Sequence, residues 1–420
     1  MRVIADLHLH SKYSGGTSKQ MSLKNIEKFA YIKGLNLMGT GDSTHPDWFS
    51  ELCKELEEEY DGIYKRKEGK YDVYFLVTTE VNLIFKKNEK IRKIHFLLLF
   101  PSLERAAEFN IEAGKYGDLS KDGRPTLRLT ADELVDLCLD IDEKILPIPA
   151  HAWTPWFGIF GSKSGFNSIK ECLERNYKIV PALETGLSSD PIMNWMVSEL
   201  DDYILVSNSD SHSYWPYRIG REANIFYLDS LSYSEIFKII KHKKRDKIAT
   251  IEVNPAYGKY HWDGHRNCGV FIHPKESIEK FGNLCPKCGK PLTLGVLHRV
   301  YDLADREEGY VPENSQKFYY NLPLQEILSI KTGKEPLSQT VWNLYMKLIN
   351  KFGSEVEILL FRDIKEIKSE SEWLGNVIEK IRNNTLPIRP GYDGVYGEII
   401  LEGKLEIPKY ERKQRSLFEF

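Results

Sequence analysis

The chain has 420 residues, 41% of them hydrophobic, enough for two or three domains with a sizeable core. A net charge of −3 excludes a globally basic nucleic-acid-binding protein, so any such role has to come from local patches. No apolar run approaches the ~20 residues that cross a bilayer, and the N-terminus runs straight into a strand pattern. The reading is therefore a cytoplasmic protein with reduced thiols and no membrane partner.

Strand and helix patterns alternate over residues 1–250. RVIADLHL reads as a strand, and SLKNIEKFAYIKG follows as a helix with Ser22 as N-cap and Gly34 as its stop. LNLMGT, YDVYFLVTTEVNLIF and KIHFLLLF are apolar, β-branched or aromatic strand runs. LTADELVDLCLDI opens with Thr130 and carries Glu133 three residues later, a capping-box pattern. KILPIPAH, KIVPALETG and YILVSNSD are buried-strand runs that end in polar residues, and SYSEIFKIIKH closes the section as a helix. This alternation predicts an α/β domain with a largely parallel sheet or barrel. Residues 251–300, with three cysteines and four histidines, form a small zinc-binding domain, 301–408 a mainly helical region, and 409–420 an exposed tail. Cys53, Cys138 and Cys172 are isolated and read as reduced core residues.

The polar residues at the strand ends carry the chemistry. In DLHLHS, His8 and His10 project to one side of a strand end, with Asp6 alongside. GTGDSTH supplies Asp42 and His45, FLVTTE supplies Glu80, IRKIHF His95, LPIPAH His151, VPALET Glu184, and LVSNSDSH Asp210 and His212. Ligands collect at the carboxyl ends of strands in α/β folds. Imidazoles with a few carboxylates suit zinc, manganese or iron better than magnesium or calcium. Two or three such ions would activate water and clamp a phosphoryl oxygen, which points to phosphoester hydrolysis.

DLHLHS, GTGDSTH, PAHAW and SNSDSH, in that order, resemble the four motifs of the PHP (polymerase and histidinol phosphatase) domain family over about residues 1–230. The resemblance implies a distorted (β/α)7 barrel with a trinuclear centre. His8, His10, Glu80 and Asp210 would hold one ion, Glu80 would bridge to a second held by His95 and His151, and His212 with Asp42 and His45 would serve a third. His8, His10, Glu80, Asp210 and His212 are the catalytic set on this reading. Ser43 and the pair Gly15 and Gly16 stand where family members often carry further ligands, so the third site departs from the pattern.

His265-x2-Cys268 and Cys285-x2-Cys288 are spaced as two ligand pairs of a tetrahedral structural zinc, with His261 or His273 as alternatives to His265. In the tail, Gln414, Leu417, Phe418 and Phe420 resemble the sliding-clamp interaction motif of replication and repair proteins; the bland alternative is packing on their own domain.

Barrel, zinc knuckle, helical region and clamp hook in this order resemble the endonuclease Q family of archaeal-type DNA repair nucleases. The resemblance implies hydrolysis of the phosphodiester 5′ to hypoxanthine, uracil, xanthine or an abasic site, by a hydroxide activated on a multinuclear metal centre. Zinc would occupy both sites, with magnesium or manganese as further supports of catalysis. Trp153, Trp156 and Phe157 would read or wedge the flipped base, or else pack on the rim. Arg218 and Arg221 would clamp phosphates, or else pair with Glu222. The other class of function is a PHP phosphatase of a small phosphomonoester.

Overall fold

The computed structural model describes residues 1–401, 403 and 405–411; the clamp motif Gln414, Leu417, Phe418 and Phe420 lies outside the described residues. The fold is mixed α/β. Its strands are β1 (Arg2–Asp6), β2 (Leu37–Gly39), β3 (Leu56–Tyr60), β4 (Ile63–Arg66), β5 (Tyr74–Leu76), β6 (Thr78–Lys87), β7 (Lys90–Leu99), β8 (Thr126–Leu127), β9 (Leu146–Pro149), β10 (Ala182–Glu184), β11 (Ile204–Val206), β12 (Ala223–Tyr227), β13 (Ile248–Val253), β14 (Asp263–His265), β15 (Val270–Ile272), β16 (Lys317–Asn321), β17 (Ile388–Arg389) and β18 (Glu398–Ile399).

β1 runs parallel to β2 and antiparallel to β12, and β2 runs parallel to β5. β7 pairs antiparallel with both β6 and β9, and β10 pairs parallel with β11. Single bonds join these pieces into one wall: Phe100 N donates to Val77 O (2.9 Å), Ala152 N to Glu184 O (2.9 Å), and Leu7 N to Asn208 Oδ1 (2.8 Å). Because side chains alternate along a strand, Val3, Ala5 and Leu7 face inward together. They meet Leu37, Leu76, Leu97, Leu99, Ile148, Ala182 and Val206 in one buried cluster. Tyr233, Ile236 and Ile240 of the helix Tyr233–Lys241 join the cluster, and Tyr233 donates to Leu99 O (3.0 Å), so this helix closes the end away from the histidines. The expected caps are present: Ser22 accepts from Asn25 N, and Thr130 with Glu133 forms the full capping box.

Two expectations change. The boundary at 250 falls inside β13, and β16 from the C-terminal region pairs parallel with β13 in the main sheet, because the edge of β13 would otherwise be left open. Cys138 and Cys172 are buried, but Cys53 is exposed, since the helix Pro46–Glu55 turns Trp48 and Leu52 inward instead. Among the described residues no helix is long and apolar enough to cross a membrane.

The C-terminal helices Leu324–Thr332, Gln339–Phe352, Ile364–Glu370 and Glu372–Arg382 share one core with the helix Leu23–Lys33. A buried ion pair ties them: Lys33 Nζ lies 2.8 Å from Glu355 Oε1 and 2.6 Å from Pro216 O, while Tyr345 OH donates to Glu355 Oε2 (2.8 Å). Breaking a buried pair leaves an uncompensated charge, so Lys33→Met is expected to destabilise the fold by about 3–5 kcal/mol, read by denaturant unfolding.

Candidate functional site

The residues that follow β1, β9, β10 and β11 gather at one rim with the start of β6 and the middle of β7. Four ligand atoms, from His8, His10, Glu80 and Asp210, lie within 4.8 Å of one another, and so do those of Glu80, His95 and His151. Glu80 belongs to both groups. Its Oε1 faces His95 Nδ1 (2.6 Å) and His151 Nε2 (3.1 Å), and its Oε2 faces His10 Nε2 (3.3 Å) and His8 Nε2 (3.6 Å). Asp210 Oδ1 lies 3.0 Å from His10 Nε2 and 3.7 Å from His8 Nε2.

Each imidazole is aimed by a partner on its other nitrogen or its backbone. Glu184 accepts from His8 Nδ1 (3.0 Å), His151 N (2.8 Å) and Asn208 Nδ2 (2.8 Å). Asp42 accepts from His10 Nδ1 (2.9 Å), Ser11 N (2.6 Å), Ser11 Oγ (2.7 Å) and Ser14 Oγ (2.9 Å). His151 Nδ1 lies 2.7 Å from Thr154 Oγ1. Such carboxylate–histidine pairs fix the ring's tautomer and orientation at metal sites. The backbone is strained at the same points: Asp42, His151 and Asp210 have φ of 47°, 30° and 47°, a region that non-glycine residues rarely adopt.

Metal fits these residues. His8 Nε2 is buried without a hydrogen-bond partner and points between Glu80 and Asp210. His95 Nδ1 and His151 Nε2 sit 3.1 Å apart facing one oxygen, an arrangement a shared cation satisfies and two N–H groups do not. Burial opposes protonation of His8, but Glu184 and Glu80 hold its pKa well above the usual value; for His10, burial is outweighed by Asp42 and Asp210. Burial lowers the pKa of His95 to about 4 despite Glu80. Ligation needs neutral imidazoles, so His8 and His10 must give up protons on loading. Loading at neutral pH is therefore expected to release protons and to weaken as pH falls, which calorimetry in buffers of different ionisation heat would measure.

The other expected site residues are placed differently. Asp42 is no part of either group, because its oxygens are taken up in aiming His10. His45 stacks on Tyr13 at 4.5 Å and its Nε2 meets Ser120 O (3.1 Å). His212 packs against His10 at 4.4 Å with Nδ1 on Asp210 O (3.1 Å). Among the described residues these three form no third ligand group. Asp6 is likewise committed, accepting from Ser209 N, Ser209 Oγ and Gly220 N. Trp153 is buried, donates to Asn194 Oδ1 (2.9 Å) and packs on Phe160, so it is core and not a base platform. Phe157 stacks on His95 at 4.4 Å, backing that ring, while Trp156 is 56% exposed. Arg221 spends its guanidinium on Ser209 O (Nε 3.2 Å, Nη2 2.9 Å), bracing the loop that carries Asp210, and is unsuited to a mobile phosphate.

One residue of the site escapes sequence reasoning: Arg124, whose Nη1 lies 3.2 Å from Glu80 Oε2. A lone arginine in the turn DGRP carries no spacing signal.

A pocket of about 350 Å³ lies beside the Asp210 loop, lined by Leu187, Arg218, Arg221, Tyr257, Glu326 and Tyr396. Glu326 Oε2 is buried there without a hydrogen-bond partner. Further along the chain, ligand atoms of His265, Cys268, Cys285 and Cys288 lie within 4.8 Å of one another on the β14–β15 hairpin and the CxxC turn. His261 and His273 are outside this group; His273 packs on Trp262 at 5.2 Å. Three thiols and an imidazole are the donor set of a structural zinc site.

The chain resembles known proteins over nearly its whole length. It superposes on the lesion-specific endonuclease PfuEndoQ of Pyrococcus furiosus with a TM-score of 0.85 at 35% identity, covering 96% of this chain and 98% of that one. It superposes on endonuclease Q in complex with a 27-mer duplex substrate bearing an abasic lesion at the active site with a TM-score of 0.82 at 35% identity, covering 97% and 99%. Residues 323–385 match the family model described as the MJ0043 C-terminal domain. The MJ0043 protein of Methanocaldococcus jannaschii is 35% identical over 254 residues, 59% of this chain but only 31% of that protein. The YqxK protein of Bacillus subtilis is 28% identical over 422 residues, 95% of this chain and 99% of that protein. At 35% identity over nearly its full length, the chain is homologous to a lesion-specific endonuclease. It belongs to the endonuclease Q family.

Proposed function

We propose that the protein cleaves DNA on the 5′ side of deaminated bases (hypoxanthine, uracil, xanthine) and abasic sites, and that the strands around the interior cluster are a PHP-type distorted (β/α)7 barrel. The observation that carries this reading is the pair of ligand groups sharing Glu80, in a chain similar over its length to an endonuclease bound to an abasic duplex. His8, His10, Glu80 and Asp210 would hold one ion, and Glu80, His95 and His151 a second, with His265, Cys268, Cys285 and Cys288 on a structural zinc. Ions at the rim, of which zinc fits the donors best and magnesium or manganese are further candidates, would lower the pKa of a water and polarise a phosphoryl oxygen.

The chain's own residues do the rest. Glu184, Asp42 and Thr154 keep the imidazoles aimed, and Phe157 shields His95 from water. A lesion base must leave the stack to be tested, and the pocket beside Asp210 is the place we assign to it. Deaminated bases present a C=O beside an N–H, where cytosine and adenine present an amino group beside a bare ring nitrogen. Arg218 can only donate and suits the carbonyl; Glu326 Oε2 suits the N–H. Glu326→Ala is expected to lower cleavage at uracil and hypoxanthine on the order of 10²-fold, with abasic-site cleavage nearly unchanged, because only the base contacts are lost.

The test of the whole reading is incubation with duplexes holding uracil, hypoxanthine or an abasic site, beside His8→Ala and Asp210→Ala. A nick 5′ to the lesion with wild type alone is expected. Intact lesion strands across zinc, manganese and magnesium overturn it, and rapid turnover of a small phosphomonoester unaffected by DNA favours the phosphatase reading. For the tail we propose sliding-clamp binding, so deleting Gln414–Phe420 should weaken clamp association and spare cleavage by the enzyme alone.

A further inference from the structure

Arg124 is built into the rim in a way that ordinary structural arginines are not. Its backbone is fixed on both sides: Gly123 N donates to Tyr13 O (3.1 Å), Arg124 N to Asp122 Oδ1 (3.0 Å), and Asn82 N to Pro125 O (2.9 Å). The loop is pressed so close to the centre that a Cβ on Gly123 would sit 2.2 Å from Asp42 Oδ2, the group that aims His10. From this fixed base the guanidinium reaches Glu80 Oε2, the same oxygen that faces His8 and His10. Arg221 has two of its nitrogens on one carbonyl. Arg124, by contrast, has Glu80 as its one side-chain hydrogen-bond partner among the described residues, and its side chain is 30% exposed. It opens on a groove of about 1070 Å³ whose walls carry Lys115, Lys121 and Arg128 together with Asp118 and Asp122, Lys121 being paired with Asp118 (3.3 Å) and Lys115 with Glu112 (2.6 Å). A guanidinium has five N–H donors, so Glu80 takes up only part of its capacity.

A fixed cation hydrogen-bonded to the bridging carboxylate, with spare donors beside an open groove, can do two things in turn. We propose that Arg124 is the counter-cation of Glu80 while no ion is bound, and that it turns its free donors to the phosphoryl oxygens of the scissile phosphate once Glu80 is engaged by metal. This rests on the phosphodiesterase reading above. The first role makes Arg124 a competitor of the metal, since its charge opposes a dication on the same oxygen. The second makes it a catalytic residue, a preorganised donor aimed at developing negative charge. Loss of Arg124 should therefore move two quantities in opposite directions, which damage to the fold cannot do.

The experiment uses the full chain with Arg124→Gln and Arg124→Lys, each checked by thermal unfolding. Zinc and manganese affinities are read by competition with a chromophoric chelator, and single-turnover cleavage on an abasic duplex. For Arg124→Gln we expect rim-metal affinity to rise about three- to tenfold and cleavage to fall ~10²–10³-fold, with partial rescue by added guanidinium. Arg124→Lys keeps the charge without the fork. It should hold metal affinity near wild type and recover only part of the rate. Metal affinity that falls together with cleavage marks a structural residue and overturns the proposal, as does tighter metal binding with cleavage unchanged. If the wild type cuts no lesion strand, the functional reading fails, while the metal-affinity arm still tests the counter-cation role.

Discussion

Glu80→Gln is expected to remove cleavage almost completely while leaving the fold and the cysteine site intact. Glu80 is buried, and its two oxygens serve different groups: Oε1 faces His95 and His151, and Oε2 faces His8, His10 and Arg124. Burial raises the cost of its charge, but His95 and His8 more than offset that and hold its carboxyl well below the usual range, so it is the anion on which the rim is organised. Glutamine has the same shape and no charge, and its amide nitrogen would place donors against imidazole N–H groups or cations. A bound ion contributes several kcal/mol of transition-state charge stabilisation. At 1.36 kcal/mol per tenfold, losing it lowers the rate by at least about 10³-fold. Elemental analysis after dialysis gives the matching structural result: the variant should keep the metal proposed for the cysteine group and lose rim metal. Full metal content with wild-type cleavage would show that Glu80 joins nothing.

Cys285→Ser is expected to unfold the segment around the β14–β15 hairpin without melting the main sheet. The hairpin's own core is Val270, Ile272, Phe281, Cys285 and Leu292, too few apolar side chains to order the turns around them. Structural zinc supplies about 10–16 kcal/mol of folding free energy in comparable small domains. Cys285 is 2% exposed, so serine would also bury an unpaired hydroxyl in place of a thiolate ligand. Limited proteolysis should cut the variant, or the chelated wild type, between residues 263 and 293 while the main sheet resists. Equal resistance in all three would remove the zinc assignment.

Much of this was legible in the chain before folding is considered. Helix starts at Ser22 and Thr130 follow from short-range capping chemistry. Polar residues closing apolar runs mark His8, His10, His151 and Asp210, because a strand buried along its length can end in such groups only where it reaches a rim, whereas Glu80 lies near the start of β6. The paired spacing of Cys285 and Cys288 is local too. These signals share one property: each depends on residues within a few positions of one another.

What the tertiary structure decided is which carboxylate does what. Strand-end placement alone makes Asp42 and Glu184 equals of Glu80, and only the family resemblance set Glu80 apart; in the structure they stand behind histidines and Glu80 stands between them. Trp153 looked like its neighbour Trp156, yet one is core and the other exposed. β16 looked like part of a separate helical region and completes the main sheet. Arg124 gave no signal at all. In each case the outcome depends on how loops far apart in the chain close against one another, since a carboxylate becomes ligand or positioning group according to which nitrogen of which histidine it meets. Sequence spacing sets the types of group delivered to the rim; packing sets their distances and order.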